Sequence, residues 1–204
     1  MKRSALGLAA VVVALVGTML AGTAHAGIQK DGPEVWPGKV NIGVDPLGVS
    51  VNWEQYYNCV GCTGGYANYK LGLNVAGLIA QPGNLSIWLG GEFNLGGRGN
   101  LAVLEPGIFV RLTFEKFLHI PLVPEVQAGV AAPIYVPYGF DGTYVIGSFG
   151  AKFGGGVYYY LTKNIGLGAE THIFFGGAFY SAAGISASAF SGYWDFLSGA
   201  RFAF

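Results

Sequence analysis

The strongest constraint on this chain is a strict two-residue alternation in residues 165–175. Ile165, Leu167, Ala169, Thr171, Ile173 and Phe175 fall on one side of an extended strand, and Gly166, Gly168, Glu170, His172 and Phe174 on the other. Side chains on a strand point alternately to opposite faces, so this segment has one face suited to an apolar medium and one suited to a polar interior. The pattern recurs. Residues 69–80 place Leu71, Leu73, Val75, Gly77 and Ile79 against Lys70, Gly72 and Asn74, and residues 85–94 place Leu85, Ile87, Leu89 and Phe93 against Ser86, Glu92 and Asn94. In residues 107–114, Ile108, Val110, Leu112 and Phe114 oppose Arg111 and Thr113, and in residues 124–134 the apolar parity opposes Glu125 and Gln127. Residues 145–161 and 190–204 repeat it, with Lys152, Asp195 and Arg201 on the polar parity. The first strand, about residues 39–53, changes parity at Pro46, which predicts a β-bulge there, because proline cannot donate to a ladder.

Composition decides what the apolar face meets. The chain is 52% hydrophobic and only 11% charged, against about 25% charged in a soluble domain. The polar parity carries mainly Gly, Ser and Asn rather than the many charges a water-facing sheet needs, so lipid outside and an enclosed interior is the expectation. A secreted soluble sandwich or lipocalin-like barrel is the competing architecture. Lys2 and Arg3, the apolar run Ala5–Ala21 and the small-residue site Ala24-His25-Ala26 predict a secretory signal peptide over residues 1–26, cleaved after Ala26. Its removal leaves 9 basic residues against 11 acidic. Without a basic excess, nucleic acid is not an expected partner. No later stretch gives about 20 uninterrupted apolar residues, so the remaining way to satisfy every backbone group in lipid is a closed barrel.

The alternating segments number eight and predict an all-β, antiparallel, up-and-down transmembrane β-barrel over residues 39–204, after a periplasmic lead-in at 27–38. Residues 54–68, 95–106, 135–144 and 176–189 read as long connections. Residues 81–84 and 162–164 read as tight turns, and 115–123 as an intermediate one. Short periplasmic turns and long outer loops are the asymmetry of bacterial outer-membrane barrels. With this architecture and the ending Arg201-Phe202-Ala203-Phe204, the chain resembles the small outer-membrane β-barrels of bacteria. The resemblance implies residence in the cell outer membrane among lipid and lipopolysaccharide. It also implies that Phe202 and Phe204 serve as the signal read by the barrel-assembly machinery. Trp53, Tyr69, Phe175 and Trp194 are expected in an outer aromatic girdle, and Phe114, Tyr159, Phe202 and Phe204 in a periplasmic one.

The inward parity gathers Glu92, Arg111, Glu125, Lys152, Glu170, Asp195 and Arg201, with His172. Nearly balanced charges in a narrow lumen are expected to pair as a structural plug rather than to catalyse or conduct. An eight-stranded barrel is just wide enough for side chains to fill. Inward Gly72, Gly90, Gly129, Gly150, Gly154, Gly156, Gly166 and Gly168 leave room for water or a small ligand, while Trp88, Phe109, Tyr158, Tyr160 and Phe174 on the same parity supply bulk to fill it. The alternation does not choose between them.

Glu170 and His172 share a face, so a carboxylate-oriented base is the basis of an enzymatic alternative, a lipid A-modifying hydrolase using Ser181, Ser186 or Ser188. Against it, parity aims His172 into the lumen. His119 falls in a predicted periplasmic turn. Cys59-Val60-Gly61-Cys62 in the first outer loop is expected to form a local disulfide in an oxidising compartment. Two thiols without a nearby His do not complete a metal site, and no metal or other cofactor is expected. Tyr56, Tyr57, Tyr66, Tyr138, Phe140, Tyr144, Phe179 and Tyr180 offer an aromatic surface for an extracellular ligand at the loops. The expected role is thus a non-enzymatic barrel that is structural, surface-interacting, or a narrow passage for small or apolar solutes.

Overall fold

The computed structural model describes residues 38–56, 63–98, 101–115, 120–137, 145–182 and 185–204. Nine strand segments cover most of them. They are β1 (Val40–Tyr56), β2 (Thr63–Ala80), β3 (Leu85–Arg98), β4 (Leu101–Phe114), β5 (Leu122–Ala131), β6 (Ile134–Pro137), β7 (Val145–Thr162), β8 (Ile165–Ala182) and β9 (Ile185–Ala203). Every pairing is antiparallel; consecutive strands pair except at the short β5 and β6, which both lie between β4 and β7, and β1 pairs with β9, so the sheet closes on itself.

The nine segments make eight staves. β5 and β6 are one stave interrupted at Ala132-Pro133, because both pair with β4 and with β7. No residue is gained or lost across the break: Ala131 faces Gly107 and Gly150, and Ile134 faces Leu104 and Gly147. Ala132 N–H still donates to Pro106 O (2.9 Å), and Ser148 N–H donates to Pro133 O (2.8 Å). Pro133 removes one donor and leaves the wall closed.

The bulge at Pro46 is present. Between Asp45 and Val49 one extra residue of β1 is accommodated against β2, and the same shift appears against β9 between Val44 and Leu47. Its effect is to return Val49 and Val51 to the outer face. The Tyr69 hydroxyl donates to the freed Pro46 carbonyl (2.6 Å).

The apolar parity faces outward on every stave. Leu73, Val75, Leu89, Ile108, Phe149, Phe153, Leu167, Trp194 and Phe196 are all exposed. The single closed sheet is a barrel and not a two-sheet sandwich. Inside, the buried set is polar and aromatic together: Asp45, Lys70, Glu105, Arg111, Lys152, His172, Asp195 and Arg201 beside Trp88, Phe109, Tyr158, Phe174 and Tyr193.

Three expectations need correction. The long connections are shorter than the alternation suggests. β1 runs to Tyr56 and β2 begins at Thr63, β3 and β4 leave only residues 99–100 between them, and β8 and β9 leave only 183–184. Small residues interrupt these extensions, among them Gly96, Gly97, Ala102, Gly176 and Gly177, so they lack the contrast that marks a strand in lipid. Strands of 14 to 19 residues exceed the roughly 9–11 that cross a bilayer, so their ends project beyond it. Second, Phe114 keeps outward register opposite Leu85 but is buried, not an exposed girdle residue. Third, residues 124–134 are not one strand: the stave starts at Leu122 and breaks at Pro133. The tight turns at 81–84 and 163–164 stand as expected, with Gly83 at φ +65°, a left-handed conformation that glycine adopts without strain. Residues 1–26, Cys59, Cys62 and His119 lie outside the described residues.

Candidate functional site

The lumen is the part of the molecule where chemistry collects. All eight inward residues expected from alternation are brought there: Glu92, Arg111, Glu125, Lys152, Glu170, His172, Asp195 and Arg201. They form two linked groups of ion pairs.

In the first group two lysines are shared among three carboxylates. Lys70 Nζ lies 2.6 Å from Glu105 Oε2 and 2.5 Å from Asp195 Oδ2. Lys152 Nζ lies 2.8 Å from Glu92 Oε1 and 2.9 Å from Glu105 Oε1. Asn94 also donates to Glu105 (3.0 Å), so both oxygens of this deeply buried carboxylate are satisfied.

In the second group two arginines serve three carboxylates. Arg201 pairs with Asp45 (3.1 Å), Glu125 (3.5 Å) and, most closely, Glu170. Arg111 lies 3.6 Å from Glu125 and donates to Asn41, Asn74 and Gln127. Gln127 joins the groups, accepting from Arg111 (3.1 Å) and donating to Glu92 (3.4 Å). A buried charge without a partner is expensive, and here all four cations have at least one carboxylate within 4 Å.

Aromatic rings line this network. Lys70 Nζ sits 4.3 Å above the Tyr193 ring, Arg201 Cζ 4.3 Å above Tyr158 and Arg111 Cζ 4.6 Å above Phe109. Such cation–π contacts strengthen when desolvated. Phe174 stacks on Tyr193 at 4.7 Å between centroids. Trp88, Phe109 and Ala76 pack together on the β2–β4 wall, with Trp88 Nε1 donating to Thr113 (2.9 Å). Glu115, just after β4, folds onto Ser86 (2.8 Å) and Thr113.

The inward glycines are the seats of these rings. A Cβ at Gly90 would lie 2.5 Å from Phe109 Cζ, one at Gly168 2.7 Å from Tyr158 Cδ1, and one at Gly176 2.6 Å from Phe174 Cζ. The glycines and the bulky aromatics therefore complement each other, which answers the ambiguity left by the alternation. One cavity among the described residues, lined by Asn68, Lys70, Asn94, Glu105, Tyr135 and Tyr193 among others, holds about 10 Å³, roughly the room for one water-sized sphere.

Several members of the network were not among the expected site residues. Asp45 sits beside the Pro46 bulge, where the parity of β1 is hard to read. Glu105 falls in residues 95–106, which read as a loop. Lys70 and Gln127 were on the inward parity but not in the expected cluster. Of the serines weighed for a hydrolase, Ser188 is exposed while His172 is buried in the lumen. Phe202 is half-buried and Phe204 exposed beside the β1–β9 seam, where Phe204 N–H donates to Val40 O (2.9 Å).

Two solved structures share this architecture. The outer membrane protein OprG of Pseudomonas aeruginosa matches at 12% identity, over 84% of this chain and 97% of its own, with a TM-score of 0.54. Neisserial surface protein A matches at 14% identity, over 81% of this chain and 97% of its own, with a TM-score of 0.55. The chain has the fold of the small eight-stranded outer-membrane β-barrels. No family model and no curated sequence matches it. At these identities the likeness to both is one of fold. The chain's apolar exterior and closed sheet edge give the physical reason for a place in the membrane.

Proposed function

We propose that this barrel is a closed, non-enzymatic scaffold of the outer membrane, acting through the surface it presents outside the bilayer rather than through its lumen. The observation that supports this is the charged interior: four cations and their carboxylates held in buried ion pairs beside aromatic rings. A hydrated solute would have to break several buried ion pairs at once, each costly to separate. Lipopolysaccharide around the outer strand ends and an extracellular ligand at the connections are the partners this reading favours, with the barrel-assembly machinery acting on the nascent chain.

The test is conductance of the folded protein in a planar bilayer. The expected trace shows no steady current above the membrane leak. Discrete, reproducible openings in the wild-type protein would overturn the reading. The enzymatic alternative has its own test: His172→Ala and Glu170→Ala should leave lipid A of the host cell unchanged, and loss of a lipid A modification with the barrel still folded would favour a hydrolase.

A further inference from the structure

The arginine group of the lumen carries one carboxyl too many. Asp45, Glu125 and Glu170 face two permanent cations, Arg111 and Arg201, and all five side chains are buried. An uncompensated charge in a desolvated interior is expensive, and the ordinary remedy is for a carboxyl group to hold a proton.

The contacts indicate where that proton belongs. The carboxyl groups of Glu125 and Glu170 are hydrogen-bonded to each other. Two ionised carboxylates offer only acceptors, so a hydrogen bond between them requires one of the two to carry a proton. The register brings them together: Gly156 of β7 pairs with Glu125 of β5 on one side and with Glu170 of β8 on the other. A Cβ at Gly156 would come within 2.8 Å of Glu170 Cβ, and its absence leaves no side chain of β7 at the position between the two acids. Both acids also meet at one atom. Arg201 Nη2 is in close contact with Glu170 Oε2 and lies 3.5 Å from Glu125 Oε1.

The cations distinguish the two acids. Glu170 is the nearest anion to Arg201. Glu125 has Arg201 at 3.5 Å and Arg111 at 3.6 Å, both beyond the roughly 2.7–2.9 Å of a charge-assisted hydrogen bond. Arg111 donates instead to Asn41, Asn74 and Gln127. Glu170 is therefore the better place for the charge and Glu125 for the proton.

We propose that Glu125 and Glu170 form an acid pair that holds one proton in the closed barrel, carried on Glu125 and donated to Glu170. The arginine group is then balanced, with Asp45 and Glu170 as anions against Arg111 and Arg201. The charged and titratable groups facing the pair are Asp45 on β1, Arg111 on β4, Tyr158 and Tyr160 on β7, His172 on β8 and Arg201 on β9. The pair titrates as a unit. Because the folded barrel holds a proton that unfolded glutamates have released at neutral pH, the stabilisation is fully present at acid pH and is lost as pH rises through the titration of the pair.

The inference rests on the closed-lumen reading, since water at the pair would solvate both carboxylates, and its test is separable from conductance. The full chain, ¹³C-labelled at glutamate and folded in detergent micelles, is observed by infrared spectroscopy at neutral pH. The expected spectrum contains the carbonyl band of a protonated carboxyl, apart from the carboxylate bands and shifted by the label. Glu125→Gln has the shape of the protonated acid, and its amide can donate to Glu170. It should fold, lose that band and keep the wild-type urea midpoint at neutral pH. Glu170→Gln removes the anion nearest Arg201 and should lower the midpoint. As pH rises above neutral, the wild type should lose stability relative to Glu125→Gln, whose amide does not titrate. Carboxylate bands alone in the wild type overturn the proposal, as does a band that survives in Glu125→Gln. A Glu125→Gln chain that fails to fold, or equal midpoints in the two variants, contradicts the placement of the proton on Glu125. Wild-type channel openings would refute the closed lumen while leaving the infrared band to judge the acid pair.

Discussion

Arg201 shows what single residues contribute. Its guanidinium is nearly fully buried and reaches Asp45, Glu125 and Glu170 together. Arg201→Met keeps the volume but leaves three carboxylates short of their cation, and breaking a buried network from one side costs about 3–5 kcal/mol. Urea titration of the barrel folded in lipid vesicles should show a loss of that size. The glycines make a sharper test. A Cβ at Gly150 would meet backbone, Phe175 O at 2.1 Å, whereas one at Gly91 would meet only Gly107 O at 3.7 Å, an ordinary contact. Gly150→Ala should therefore destabilise by about 1–3 kcal/mol, and Gly91→Ala should stay within about 0.5 kcal/mol of wild type. Equal effects in the same titration would contradict the packing described for the lumen. At this scale the sequence is only partly legible: Lys152 and Arg201 announce themselves by parity, but no rule of alternation says that Gly168 exists to receive the Tyr158 ring of the next strand.

The strands show why legibility stops where it does. β8 could be read residue by residue because Leu167 and Ile173 contrast with Glu170 and His172, and that contrast is a product of lipid on one side. Where β3 and β4 run on towards residues 99–100, Gly96, Gly97 and Ala102 replace it, and a strand there looks like a loop. Glu105 was lost for that reason, in a stretch where Val103 takes the inward parity and Leu104 the outward one. Asp45 was lost because the bulge at Pro46 shifts the count by one residue, and a one-residue slip exchanges the faces. The membrane account also assigns a cost by position along a strand. Leu73→Arg, midway along β2 and facing out, should destabilise the vesicle-bound barrel by about 2–4 kcal/mol. The same change at Leu161, next to the turn at 163–164, should cost about 0–1 kcal/mol. Equal costs would mean that the outward face does not cross a hydrocarbon layer.

For the whole molecule, ring closure and plug depend on each other. β1 meets β9 through fourteen register pairs running from Asn41↔Ala203 to Tyr56↔Ala189, which removes the free edge that lipid forbids. The small circumference that results brings side chains of all eight staves within reach of one another, so that Lys70 of β2 can bridge Glu105 of β4 and Asp195 of β9. The number of staves was legible in the sequence; which charges meet across the lumen was not, because that depends on strand tilt and register rather than on alternation. The most direct test of the central claim is a spin-label scan of residues 165–175 in lipid vesicles, with Cys59 and Cys62 replaced by Ser. The account predicts that labels at 165, 167, 169, 171 and 173 are reached by membrane-soluble oxygen. Labels at 166, 168, 170 and 172 should be shielded from both oxygen and a water-soluble nickel complex. Nickel access at the even positions would mean a water-filled pore, and loss of the alternation would mean that the strand does not separate lipid from a packed interior.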